Sequence, residues 1–322
     1  MQYFDFIARR YQFFLLSALI ILPGLVSLAL PGGLRPGIDF TSGSIMTFRF
    51  DQSTDQGSVR QVYAELGQPD AIIQRSDDGT YIVRTRTLEA ESGETTESGQ
   101  AISGRQHLQD VLTERFGPLT VLSFDQVSPI VAAEIVRNAV LAVIAACGGI
   151  LLYLWWAFRH IKESWRYGAC AVFALIHDAL VVLGVFSILG RFPGFELDAL
   201  FITAVLTVIG FSVHDTIVVF DRIRENLVKY QGEPFEDVVN HSLTQTMGRS
   251  LATSITVILT LLTLWLFGGV TIRNFVLALL VGIASGTYSS IFNASMLLVI
   301  WENGELGRLF GRRRPQPVLR RA

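Results

Sequence analysis

Two adjacent His-Asp pairs, His177–Asp178 and His214–Asp215, sit inside long apolar stretches of this 322-residue chain. A charged carboxylate in an apolar layer costs several kcal/mol, on the order of 2.5–3.5 by insertion scales. Burial raises the pKa of an acid, and a nearby cation lowers it. An Asp held between those influences can change protonation near physiological pH, which is what a proton carrier needs. The plain alternative is a protonated Asp or a neutral His that only bridges helices by hydrogen bonds. Asp215 has a candidate cation in Arg249, which opens a later apolar stretch beside Ser250, Thr253, Ser254 and Thr256. Asp215 lies about 7.5 Å inside the end of its own stretch at 1.5 Å per residue. An arginine at the mouth of a neighbouring helix can reach that depth along its stem. Its other reading is an ordinary positive-inside anchor. Asp215 and Arg249 are therefore the leading candidates for a proton pathway, while His214, Asp178 and His177 are relay members or helix contacts.

His and Asp also bind zinc or manganese. Consecutive helix positions point about 100° apart, so one pair chelates poorly alone, and only two pairs on facing helices would serve. No metal or cofactor is expected, the coupling ion being the proton. The chain has no GxxxxGK[ST] motif to suggest ATP hydrolysis. Cys147 and Cys170 both fall in apolar stretches and act as small apolar residues.

These residues need a membrane to position them. Half the residues are apolar and 17% are charged, a balance that few soluble domains share. A spanning helix needs roughly 20 apolar residues, and six stretches qualify: 11–30, 138–158, 167–189, 197–220, 250–267 and 274–301. The first is longer than the roughly 7–15 residues of a signal-peptide core, so it is expected to be retained. Basic residues in short loops set the orientation. Arg9 and Arg10, then Arg159, Lys162 and Arg166, then Arg222, Arg224 and Lys229, and finally the 302–322 tail fall on one side; only Arg191 and Arg273 fall in the opposite short loops. Residues 1–10 and 302–322 are expected in the cytoplasm and residues 31–136 outside. The tail, with Arg312–Arg314, Arg320 and Arg321, is suited to anionic lipid headgroups.

The outer segment carries eight arginines against fifteen acids and no lysine. Alternation predicts strands over 44–50, 71–74, 81–86 and 119–127, and periodicity predicts helices over 58–66 and 104–116. That β-α-β-β-α-β order points to a ferredoxin-like split βαβ unit. Residues 89–103, rich in Glu, Ser, Thr and Gly, read as a mobile insert. A short echo, ALIHDALVVLGVF at 174–186 and FSVHDTIVVFDRI at 211–223, relates spans three and four, although two such matches do not prove a repeat. In span six, Gly282 and Gly286 with Ala284, Ser285, Ser289 and Ser290 allow close helix packing.

Several motifs are similar to those of one known family. Gly37-Ile38-Asp39-Phe40-Thr41-Ser42-Gly43 resembles the G-[IL]-D-F-x-G-G signature of the SecD/SecF family, a branch of the resistance-nodulation-division superfamily. VSPIVAAE at 127–134, IGFSVHDTIVVFDRIREN at 209–226, RSLATSIT at 249–256 and GTYSSIF at 286–292 resemble further segments of that family, in order. Ser42, Ser128 and Ala132 stand where the family usually has glycine, His214 where Asn is common, and the insert is longer than the pattern leads one to expect. The resemblance implies a six-span α-helical membrane protein of the bacterial cytoplasmic (inner) membrane with one α+β domain between spans one and two. It implies pairing with SecD, association with the SecYEG channel, and use of the proton-motive force to help emerging preprotein across. Asp215 and Arg249 would then be this subunit's share of the proton pathway, facing an acidic residue on SecD. No enzymatic activity and no nucleic acid are implied. A proton-coupled exporter of small molecules or lipids, and a passive scaffold, are the alternatives.

Overall fold

A computed structural model describes residues 5–76, 79–86, 104–159, 163–192, 195–269 and 272–305. The predicted insert 89–103, Asp77 and Asp78, Lys162 and the arginines of the tail lie outside the described residues. In chain order the elements are α1 (Arg10–Ala29), α2 (Ile38–Thr41), β1 (Gly43–Phe50), α3 (Gln56–Glu65), β2 (Ile72–Arg75) and β3 (Thr80–Thr85). There follow α4 (Gly104–Phe116), β4 (Leu119–Val127), α5 (Pro129–Ala157), α6 (Trp165–Leu189), α7 (Ala199–Lys229), α8 (Phe235–Phe267), α9 (Arg273–Tyr288) and α10 (Ser295–Glu302). The chain forms two compact units, residues 36–140 and the remainder.

The smaller unit is built on an antiparallel sheet in the order β2-β3-β1-β4. With the helices α3 and α4 this is the expected split βαβ arrangement. Strand alternation puts Met46, Phe48 and Phe50 on one face, where Val59, Val62 and Tyr63 of α3 and Leu108 and Leu112 of α4 close over them. Asp55 starts α3 by accepting from the Gly57 and Ser58 amides at 2.8 and 3.2 Å. Tyr81 donates from within this core to the Thr54 carbonyl at 2.5 Å, so its buried hydroxyl is satisfied. The tight turn into β1 explains two motif positions. Gly43 has φ +129° and a Cβ there would meet the Thr85 carbonyl oxygen at 2.6 Å. Ser42 adopts φ +62°, a conformation that costs a non-glycine residue about 1–3 kcal/mol. The family's usual glycine avoids that cost.

The larger unit holds the apolar helices except for the first part of α5, which belongs to the smaller one. Among the described residues six are long and apolar enough to cross a membrane, from 23 to 33 residues. Their ends differ from the apolar stretches read in the sequence. α7 continues to Lys229 and α8 already begins at Phe235, so Arg249 lies well inside α8 rather than at its mouth. At 1.5 Å per residue a helix of this length exceeds the roughly 30 Å apolar core, and its polar end pairs with its neighbour instead. There Asn226 donates to Ser242 at 2.8 Å and to Gln245 at 3.0 Å, and Arg222 donates to Gln245 at 2.6 Å. α1 crosses α6 at a point where both helices carry glycine. A Cβ on Gly24 would lie 2.5 Å from the Gly184 Cα, and Ser187 donates to Ser27 at 2.9 Å one turn away. The sixth span is one helix interrupted by a π turn, Ser289–Ala294, between α9 and α10.

Candidate functional site

The site forms where α6, α7 and the π turn meet. On α6, His177 and Asp178 are both buried, Asp178 completely. On α7 the 3.6-residue period puts Ser212, Asp215 and Thr216 on the inner face and leaves His214 on the outer one. Asp215 is 3% exposed, whereas the His214 side chain is 65% exposed. On α9 the small residues bring the backbone close. A Cβ on Gly282 would clash with the Val208 side chain, and one on Gly286 would sit 3.1 Å from the Ser212 Cβ. Gly282 and Gly286 thus let α9 lie against α7.

The two carboxyl groups have contrasting surroundings. Asp178 Oδ2 accepts from Ser212 and Ser289, both at 2.7 Å. Its Oδ1 accepts from Ser285 at 2.8 Å, and the His177 Nδ1 lies 3.1 Å away. Asp215 has His214 Nδ1 at 3.9 Å from Oδ1, and its buried Oδ2 has no hydrogen-bond partner among the described residues. The charge of Arg249 is near enough to act on Asp215 through space, but Arg249 makes no direct salt bridge with it among the described residues and its side chain is exposed. The reason is helical phase. Ser250 and Ser254 of α8 face inward, with Ser254 accepting from Thr287 at 2.6 Å, so the preceding position is turned about 100° away. Thr253 and Thr256 share the exposed side and return their hydroxyls to the α8 backbone at 3.0 and 2.7 Å. The polar strip read in the sequence is therefore two faces, one buried and one exposed. Among the described residues no three His, Cys, Asp or Glu side chains converge as metal ligands.

Sequence reasoning assigned Ser285, Ser289 and Ser290 to packing and passed over Ser212 and Thr216. The structure gives them hydrogen bonds. Thr216 donates to Ser290 at 2.9 Å, and Ser290 donates to the Ser212 carbonyl at 2.9 Å. The signal was spacing: Ser285 and Ser289 are one turn apart, and Ser212 lies one turn before Asp215. Of the motif residues outside the bundle, Gly37 caps α2 in an extended conformation, Asp39 lies in its first turn, and Gly43 opens β1.

Residues 107–304 match the model of the protein export membrane protein SecD/SecF C-terminal family, and residues 32–54 match that of the SecD/SecF GG motif. The chain is 49% identical over 312 residues to the protein translocase subunit SecF of Thermobaculum terrenum, covering 97% of this chain and 98% of that one. The chain belongs to the SecF family. Its similarity to the SecF of Anaerolinea thermophila is 42% over 312 residues, 96% of this chain and 97% of that one. Among solved structures it resembles SecDF, a translocon-associated membrane protein from Thermus thermophilus, with TM-score 0.75 and 33% identity over 93% of this chain. It spans about 39% of that longer SecDF chain. A SecDF structure in a super-membrane-facing form gives TM-score 0.62 at 30% identity, over 97% of this chain and 40% of that one. The SecD/SecF C-terminal match contains His177, Asp178, His214, Asp215, Arg249, Gly282 and Gly286, and the GG-motif match contains Gly37, Asp39 and Gly43.

Proposed function

We propose that this chain is the SecF component of a SecDF-type complex in the bacterial cytoplasmic membrane, using the proton-motive force to assist preprotein passage through the Sec translocon, SecYEG. The observation that carries the reading is Asp215: a buried carboxyl in a spanning helix, with one oxygen free of any described donor. An acid so placed can take up and give back a proton. Beside it, the exposed His214 and Arg249 put polar and charged groups on the outer face of α7 and α8, where lipid alone would be an unfavourable neighbour. A SecD-type subunit carrying an acidic residue would cover that face and complete the pathway. One charge moving inward through about 100 mV releases about 2.3 kcal/mol, enough to bias a two-state rearrangement of packed helices. The α+β unit, placed outside, would meet emerging preprotein. Asp215→Asn keeps shape and loses the titratable proton. Proton-dependent export should fall by roughly 100-fold or more, the scale of a positioned proton-transfer group, while the chain still inserts and still co-purifies with its SecD-type partner. Export at the wild-type level by a stably inserted Asp215→Asn protein would leave a passive scaffold as the better reading.

A further inference from the structure

Asp178 is a fully buried acid that the proposed pathway does not use. We infer that Asp178 is a positioning residue for Asp215, its carboxylate gathering hydroxyls from α7 and α9 so as to fix the residues on either side of Asp215. The inference rests on the reading of Asp215 as the proton-exchanging group.

Two routes of hydrogen bonds lead from Asp178 to the flanks of Asp215. The first is direct: Ser212, three residues before Asp215 on the same inner face, donates to Asp178 Oδ2 at 2.7 Å. The second runs through the π turn. Ser289, its first residue, donates to the same oxygen at 2.7 Å. The next residue, Ser290, donates to the Ser212 carbonyl and accepts from Thr216, the residue following Asp215. Ser285 adds a third hydroxyl at 2.8 Å. Consecutive side chains on a helix point in different directions, and here Ser289 reaches α6 while Ser290 reaches α7 from within the π turn. π turns of this kind are frequent at functional sites. Gly286 permits the approach, since a Cβ there would lie 3.5 Å from Asp178 Oδ2 and 3.1 Å from the Ser212 Cβ.

The result is an acid with three hydroxyl donors that pins residues 212 and 216, and between them an acid with an unpartnered oxygen. Both Asp178 oxygens and the hydroxyls donated to them are satisfied, while the buried Nε2 of His177 has no partner among the described residues. Satisfied hydrogen bonds of this kind rigidify their surroundings, and a reactive group gains from partners that lock its neighbours. The charged and titratable groups around Asp215 are His214 on its own helix, Arg249 on α8 and the His177–Asp178 pair on α6. Residues 277–287 of α9 carry no charged side chain.

The test uses the full chain with its SecD-type partner in native membranes, and compares Asp178→Ala, Asp178→Asn and Ser289→Ala. Two quantities are read: proton-dependent export per inserted protein, and the pH midpoint of carbodiimide labelling at Asp215, resolved by peptide mass spectrometry. Asp178→Ala and Ser289→Ala should each lower export about tenfold, the scale on which orienting partners act, and both should move the labelling midpoint. Asp178→Asn retains an acceptor oxygen and should keep most of the export. Ser289→Ala removes one hydroxyl and provides the result should Asp178→Ala fail to insert. An unchanged midpoint in the alanine variants would overturn the inference, because a merely structural contact changes the amount of protein and not the titration of Asp215. Loss in Asp178→Asn equal to that in Asp215→Asn would also overturn it, since Asp178 would then carry the proton itself. Normal export by Asp215→Asn would overturn the underlying reading and this inference with it, and that variant leaves Asp178 intact, so the two failures are distinguished.

Discussion

Asp178 and Asp215 stand on neighbouring helices, one among hydroxyl donors and the other with a bare oxygen. Arg249 makes no direct contact with either acid among the described residues, but its charge lies close enough to act on Asp215 through space. Whether an arginine faces in or out is decided by one helical position, and the inward Ser250 and Ser254 fix the phase of α8. Apolar runs do not reveal that phase. Turned outward, the guanidinium is available to an acidic group on a partner subunit, and Arg and Lys differ there. Lys keeps the charge but loses the planar fork and some reach. Arg249→Lys should therefore retain part of the proton-dependent export. Arg249→Met should lose most of it, by about tenfold or more, and should co-purify less SecD-type partner. Full export and full co-purification by Arg249→Met would reduce Arg249 to a topological anchor.

At the scale of elements, hydropathy revealed the six spans and alternation revealed the sheet, because each rests on a period that a single stretch of sequence carries. The helix ends were less legible. The polar continuation of α7 and the start of α8 hold each other through Asn226, Ser242 and Gln245, contacts between residues distant in sequence. The π turn was invisible for the same reason: residues 289–294 read as ordinary helix, and the acid that gathers their hydroxyls is on another span. The Asp178 node was thus legible in its residue types and illegible in its geometry. Glycine spacing, in contrast, told which face of span six packs, and it gives a paired prediction. Gly282 lies against Val208, so Gly282→Ala overpacks at a cost of about 1–3 kcal/mol. Better helix propensity returns about 1 kcal/mol of that. Gly148 on α5 has open space, so Gly148→Ala should gain the propensity and lose nothing. Thermal unfolding of the detergent-solubilised chain should show Gly282→Ala below the wild type and Gly148→Ala at or above it. The reverse order would mean that α9 and α7 are not closely packed at Val208.

At the scale of the whole molecule the remaining question is which way the helices run through the membrane. The ends that carry most of the basic residues are tied together in the larger unit. Arg10 reaches Glu305 at 2.6 Å and Glu236 at 3.4 Å, joining the starts of α1 and α8 to the end of the sixth span. Arg166, at the start of α6, pairs with Glu302 at the end of α10. These ends therefore share one side, as six spans with both termini together require. The positive-inside rule counts arginines and lysines near span ends and gives acids little weight, so the acidic partners do not cancel the signal, and this side is expected to be cytoplasmic. Residues 31–136 then lie outside. Single cysteines at Ser53 and Ser123, exposed positions of the α+β unit, should react with an impermeant maleimide in intact spheroplasts. A cysteine at Gln231, in the turn between α7 and α8, should react only after the membrane is opened. Cys147 and Cys170 lie within spanning helices and are replaced by alanine to clear the background. Labelling of Gln231→Cys in sealed spheroplasts, with Ser53→Cys and Ser123→Cys protected, would reverse the orientation. It would also place the α+β unit in the cytoplasm, where it could not meet a preprotein emerging on the far side.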